Sequence, residues 1–235
     1  MTEEVEAPAE EAVEEAMEEA PTPKLEMVLY PNKFLRFRAV PFTEDQIKSP
    51  LVKQVSKLMI EKMYELHGVG LAAQQVGIPQ RIFVMDHQFM ESGKKDPKVF
   101  LNPEIIFADM DTAIAMTPPG EGCLSLPYGF KSPVPRHAQI QLNWLDLEGQ
   151  TQSDWFEGFE AIVIQHEMDH LEGHIFPDRL SRLKRDIFKR RARKIRRQYA
   201  NGYKRALKQL KNAHRTPEYA RRRAQAWEEE KRNVE

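Results

Sequence analysis

His166 and His170 lie one helical turn apart, and that spacing limits the fold more tightly than any other feature of the chain. Phe159, Ile162 and Val163 recur at helical spacing on the face that carries both histidines. The spacing predicts a helix from Phe159, stopped by Gly173, with this face turned inward. Two buried imidazoles one turn apart need a shared partner, and a metal ion is the natural one. Glu167 stands between them, where it could reach a water activated by that metal and act as a general base.

A catalytic metal site needs a third protein ligand and one open position. Cys123 is the only cysteine, so no internal disulfide can form. A lone cysteine is either a small buried hydrophobe or a reactive or ligating group. Here it lies in Glu121-Gly122-Cys123-Leu124-Ser125, where the glycine lets backbone come close to a metal. Thiolate and imidazole both suit late first-row divalent metals. A third stretch, Gly68-Val69-Gly70-Leu71-Ala72-Ala73-Gln74-Gln75, is small and flexible; by itself it reads as a helix cap and a loop running to Gly77.

Other elements follow from pattern. Ser49-Pro50 reads as a helix cap and first turn, with Leu51, Val55, Leu58, Met59, Met63 and Leu66 as the apolar face and Gly68 as the stop. Strands are expected at 81–86, 99–102 and 105–108, with a hairpin of 139–147 and 151–156 about Gly149. Pro118, Pro119, Gly120 and Gly122 mark a loop. Beyond Ser181 the chain reads as basic helix, broken at Asn201-Gly202 and again at Thr216-Pro217.

The 235 residues suffice for one core, and no apolar run approaches the roughly 18 residues that span a bilayer. The start lacks a basic-then-apolar signal and is rich in Glu, unlike a transit peptide, so a cytoplasmic location and no membrane partner are expected. The net charge of -1 conceals a segregation. Residues 1–20 carry nine Glu and no Lys or Arg, whereas residues 179–235 carry 21 basic and six acidic residues. An acidic disordered tail over 1–23, a globular domain over 24–183 and a basic helical extension over 184–235 are the expected parts.

The three chemistry-bearing stretches, in order and spacing, resemble the signature motifs of the peptide deformylase family. Glu121 to Ser125 resembles the second motif in every residue, and the likeness runs from about Leu25 to about Leu183. It implies an α+β fold, with antiparallel sheets surrounding the metal-bearing helix, and hydrolysis of the N-formyl group from the initiator methionine of nascent polypeptides. Cys123, His166 and His170 would hold ferrous iron, the usual metal, for which zinc, nickel or cobalt can substitute. Glu167 would take a proton from the attacking water and pass it to the leaving amine. The side-chain amide of Gln75 and the N–H of Leu124 would hold the oxyanion. Val69, Phe159, Ile162 and Val163 would receive the methionine side chain. The peptide would lie as a strand against backbone near Val69, Gly70 and Glu121. The sequence departs from the family at Gln74, where Pro, Thr or Ser is usual, and at Phe130, near the place of a peptide-binding arginine; Lys131 and Arg136 follow it.

Bacterial deformylases often end in a basic helix that docks on the ribosome. Lys184, Arg185, Lys189, Arg190, Arg191, Arg193, Lys194, Arg196 and Arg197 form such a cluster, and Arg221, Arg222 and Arg223 a second. Like charges this dense destabilise an isolated helix, and the phosphates of ribosomal RNA would relieve them. The Glu-rich tail could compete with RNA for the same region. Two other functions fit parts of the pattern. A zinc metallopeptidase shares His-Glu-x-x-His but takes His or Glu, not a preceding loop cysteine, as its third ligand. A non-catalytic ribosome-associated protein would have no need of Glu167, Gln75 and Cys123.

Overall fold

A computed structural model describes residues 24–108, 120–126 and 130–213. The expected disordered tail, Pro118-Pro119, the break at Thr216-Pro217 and the Arg221 to Arg223 cluster lie outside the described residues. The chain divides into two compact units, Met1–Leu126 with Lys131–Phe176, and Pro127–Phe130 with Pro177–Glu235.

After a 3-10 turn at Lys33–Arg36, the first unit continues with a short helix α1 (Glu44–Ile47). Thr43 and Gln46 close a reciprocal capping box at its start. Helix α2 (Pro50–Glu65) follows, with the Ser49 side chain accepting from the Leu51 N–H. Its inward face is Val52, Ser56, Met59 and Met63, at offsets of four, three and four residues. The expected face is thus rotated: Leu51 faces solvent, 62% exposed. The helix also ends differently. His67, not Gly68, takes the left-handed conformation (φ 55°), and the Gly68 N–H reaches back to the Met63 carbonyl at 2.9 Å. Gly68 is needed for space instead, since a Cβ there would lie 2.9 Å from Leu124 Cδ1.

The expected loop after Gly68 is in part ordered structure. Gly70–Ala72 forms strand β1 and Ala73–Val76 a 3-10 turn. Strand β1 starts a five-stranded antiparallel sheet with β2 (Ile82–Met85), β3 (Lys98–Ala108), β4 (Gln139–Leu145) and β5 (Thr151–Glu157), in that spatial order. Among the described residues this is one sheet, where several were expected. The two strands expected between Val99 and Ala108 are a single irregular one. Its register shifts between Leu101 and Glu104, where Pro103 can donate no ladder hydrogen bond. Asn102 sits there at φ 48°, its side chain bonded to the backbone of Phe42 at 2.8 and 2.9 Å. The β4–β5 hairpin forms as expected, its turn held by the Asp146 carboxylate, which accepts from the N–H groups of Glu148 and Gln150.

Strand β2 is buried on both faces, and its alternation assigns the two cores. Ile82 and Val84 pack with Met59, Met63, Leu71 and Leu101 on the α2 side. Phe83 and Met85 pack on the opposite side with Phe100, Ile140, Leu142 and Phe156. The second core also holds Ala161, Val163, Ile164, Met168 and Leu171 from one further helix, α3 of the site (Gly158–Leu171); a single turn at Phe89–Ser92 intervenes in the sequence. Each of these side chains larger than alanine contributes about 1.5–3 kcal/mol on burial.

In the second unit, helix α4 (Arg182–Ala213) passes through Asn201-Gly202 without the expected break. One glycine costs a helix only about 1 kcal/mol, too little to interrupt it. Phe188 and Ala192 are buried, with the Phe188 and Phe130 ring centroids 4.9 Å apart. No described helix is long and apolar enough to cross a membrane.

Candidate metal centre

Helix α3 starts at Gly158 (φ 57°), whose N–H donates to the Ala138 carbonyl at 2.9 Å. The sequence predicts one inward face, yet every residue from Ala161 to Leu171 is buried. Ala161, Val163, Ile164, Met168 and Leu171 pack in the sheet core, and the buried polar residues of the same helix include His166, Glu167, Asp169 and His170. The far end is fixed from outside the helix. Ala39 N–H donates to the Leu171 carbonyl at 2.8 Å, and Arg38 and Arg81 bind the Glu172 carboxylate at 2.9 and 2.6 Å.

The Cys123 loop meets this helix. The potential ligand atoms of Cys123, His166 and His170 all lie within 4.8 Å of one another. Cys123 Sγ is 3.2 Å from His170 Nε2, and the two imidazole centroids are 5.1 Å apart. One thiolate and two imidazoles converging from a loop and a buried helix fit a divalent transition metal. His166 Nδ1 is 2.8 Å from the Glu121 carboxylate. Burial pulls the His166 pKa down, but the hydrogen bonds to Cys123 and Glu121 outweigh it and hold the value well above the usual range. Burial, reinforced by His166, holds His170 well below it.

Glu167 is buried, and burial pushes its pKa up to about 7. Its Oε2 has no hydrogen-bond partner among the described residues. A carboxylate in that state is suited to exchange a proton near neutrality. Gln75 is buried in the 3-10 turn after β1. Its Oε1 accepts from the Ala72 N–H at 2.9 Å, which leaves Nε2 directed at Cys123 Sγ, 3.6 Å away. The Leu124 N–H has no acceptor among the described residues, and its side chain packs on the α2-side core.

The residues expected to bind peptide are placed unevenly. Val69 is partly buried against the core that includes Val163, and its carbonyl accepts from the Asp86 N–H at 3.0 Å. Gly70 lies on the edge strand β1. Ile162 is 6% exposed and Phe159 49% exposed. Both backbone groups of Glu121 bond Ser132, at 2.9 and 3.1 Å, and its side chain reaches His166. Lys131 runs past Gly122, where a Cβ would lie 3.6 Å from Lys131 Cε. The basic residues from Lys184 to Arg197 lie on α4, in the second unit, and all but Arg185, which is half-buried, and Arg196, whose side chain is outside the description, are exposed.

Sequence reasoning missed a buried ionic network behind the ligands. Arg136 Nε and Nη2 bind the two Glu121 oxygens at 2.7 and 2.9 Å, and Nη1 binds Asp169 Oδ2 at 2.7 Å. The available signal was an acid beside each ligand-bearing motif, Glu121 and Asp169, with no base in either stretch to balance them.

Comparison with known proteins agrees with this geometry. The polypeptide deformylase family model matches residues 24–186. The peptide deformylase of Phenylobacterium zucineum is 45% identical over 147 residues, which cover 60% of this chain and 83% of that protein. The crystal structure of a peptide deformylase from Legionella pneumophila superposes with a TM-score of 0.66 at 32% identity, over 76% of this chain and 98% of that one. A peptide deformylase from Acinetobacter baumannii, solved with Met-Ala-Ser bound, gives a TM-score of 0.60 at 29% identity, over 68% and 100% of the two chains. With its Cys-His-His cluster and adjoining buried carboxylate, the chain belongs to the polypeptide deformylase family.

Proposed function

We infer that the chain hydrolyses the N-formyl group of the initiator methionine on nascent polypeptides and releases formate. The observation that carries this is the unpartnered Glu167 Oε2 beside a converging Cys123, His166 and His170. These three residues would hold the metal, with ferrous iron the native ion and zinc, nickel or cobalt able to replace it. A divalent metal there supplies Lewis acidity toward a carbonyl and toward water. Glu167 takes the proton of the attacking water at Oε2 and returns it to the nitrogen of the leaving amine. Gln75 Nε2 and the Leu124 N–H donate to the oxygen that becomes negative as the formyl carbon turns tetrahedral. Each donor of this kind is worth roughly 3 kcal/mol of barrier.

The peptide is read as an added strand beside β1, along Val69 and Gly70, with its methionine side chain among Val69, Phe159, Ile162 and Val163. Met-Ala-Ser bound to the Acinetobacter baumannii relative supports a methionine-first peptide as the ligand class. Formate release from a formyl-methionyl tripeptide is the direct test, on protein prepared anaerobically with iron or loaded with nickel. Turnover by the parent, with near-complete loss in Glu167→Ala at equal metal content, is the expected result. No turnover by a fully metallated parent rejects the reading and favours a non-catalytic ribosome-bound protein.

The exposed cations of α4 support a second element, docking on ribosomal RNA in the cytoplasm. Co-sedimentation with ribosomes at low salt should be lost on deletion of residues 184–235; equal binding after deletion would remove it. Deletion of residues 1–20 should raise ribosome affinity if the acidic tail competes with RNA.

A further inference from the structure

Arg136 is 4% exposed, far from the composition of an ordinary surface arginine, and it spends three nitrogens on two carboxylates. One of those carboxylates, Glu121, lies two residues before Cys123; the other, Asp169, lies between His166 and His170. A single guanidinium thus joins the segment that carries the thiolate to the helix that carries both imidazoles. We propose that Arg136 is a positioning residue for the metal centre, assembling the three ligands and fixing the tautomer of His166 without touching metal or substrate. The inference rests on the reading of Cys123, His166 and His170 as a metal site.

The tautomer follows from the donors. Glu121 is held by two N–H groups of Arg136, a geometry that suits an ionised carboxylate, and an ionised carboxylate can only accept. The 2.8 Å contact to His166 Nδ1 therefore places the proton on Nδ1. Nε2 is the nitrogen left to face a metal, and the ring plane is fixed by the same bond. Asp169 does the corresponding work along the helix. Its Oδ2 holds Arg136 at 2.7 Å, and its carbonyl accepts from the His174 N–H at 2.8 Å, so the turn bearing His170 is held at both ends of one residue.

Lysine could not replace the arginine: a point charge cannot span both oxygens of Glu121 and reach Asp169, whereas a planar fork of five donors does. With the ligand atoms already within 4.8 Å of each other, binding a metal need not collect them from separate segments.

Cobalt(II) titration of the full chain, by competition with a chelator of known affinity, tests this. The parent should bind one cobalt with a thiolate-to-cobalt absorption band; failure there rejects the metal reading itself, not the role of Arg136. Given parent binding, Arg136→Lys and Glu121→Gln should each weaken cobalt affinity roughly ten- to hundredfold while the thiolate band persists. The double variant should be no weaker than the weaker single one, because both act along one path. Asp169→Asn leaves the Arg136–Glu121 pair in place and serves where Arg136→Lys does not fold; it too should weaken cobalt binding. A merely structural role would lower the urea midpoint of the metal-free variants and leave the cobalt affinity of the folded protein within about twofold of the parent. That result in Glu121→Gln and Asp169→Asn overturns the proposal.

Discussion

The carboxylate of Glu167 occupies the space that a side chain on Gly70 would need. A Cβ built on Gly70 would lie 2.5 Å from Glu167 Oε1 and 3.0 Å from its Cδ. The first motif is glycine here because the edge strand must pass directly over the catalytic carboxylate. Glu167 is the end of a flexible side chain, so Gly70→Ala should move the carboxylate and leave the backbone in place. A displacement near 1 Å costs on the order of a hundredfold in rate. The expected outcome is a loss of that size in kcat/KM with metal content and thermal midpoint nearly unchanged. Parent-like activity in Gly70→Ala would show that the position of Glu167 is not critical.

Burial of Glu167 should also be visible as a stability cost. Its pKa rises from 4.5 to about 7 in the folded chain. Below 4.5 the carboxyl is protonated folded or unfolded, and stability is undiminished. Between 4.5 and 7 the unfolded chain ionises first, so stability falls as pH rises, by up to about 3 kcal/mol. Glu167→Gln removes this loss. In metal-free protein, its advantage over the parent in urea unfolding should therefore grow from pH 5 to pH 8. An advantage that stays constant with pH would mean that the carboxylate is not desolvated.

Tyr64 and Asp86 give a pH dependence of the opposite sense, away from the metal centre. Asp86 is buried, which raises its pKa, but hydrogen bonds from the Tyr64 hydroxyl at 2.5 Å and from the N–H groups of Asp96 and Phe89 outweigh burial and lower it below 3.8. The stability that this provides is complete above 3.8 and is lost as pH falls through the folded value. Tyr64→Phe should cost about 1–3 kcal/mol near pH 7, since the acceptor is charged. The gap between variant and parent should narrow as pH falls below 3.8 toward the folded value of Asp86. Chemical denaturation at pH 7 and pH 3 measures it, and an equal gap at both would exclude Asp86 as the partner that matters.

Local rules worked where one residue decides one event. Ser49 caps α2, Gly149 turns the hairpin and Gly173 ends the site helix. They failed where tertiary contact overrides local preference. The left-handed residue after α2 is His67, while Gly68 beside it lies against the Leu124 side chain. Strand β1 was invisible because its three residues are glycine, leucine and alanine, without alternation, and it is held by β2 and by the carboxylate beneath it. The ligands were legible because i and i+4 on a helix is a geometric statement. Arg136 was not, because no spacing links it to Glu121 or Asp169; only the fold brings them together.

A metal at this centre would join two segments far apart in sequence, the Cys123 loop and helix α3, whose ligand atoms converge in the folded chain. Binding to the folded state adds RT ln(1 + [L]/Kd), about 4 kcal/mol when free metal is 1,000 times Kd. For a chain of this length that is a shift of about 10 °C in the thermal midpoint. Chelator should lower the midpoint of the parent by that order, and nickel or cobalt should restore it. Cys123→Ala should start from the lower midpoint and respond far less to chelator, since two imidazoles alone hold a divalent metal weakly. His166→Ala should behave in the same way. A parent whose midpoint ignores chelator, while carrying one metal per chain, would show that the metal does not bridge the loop to the helix.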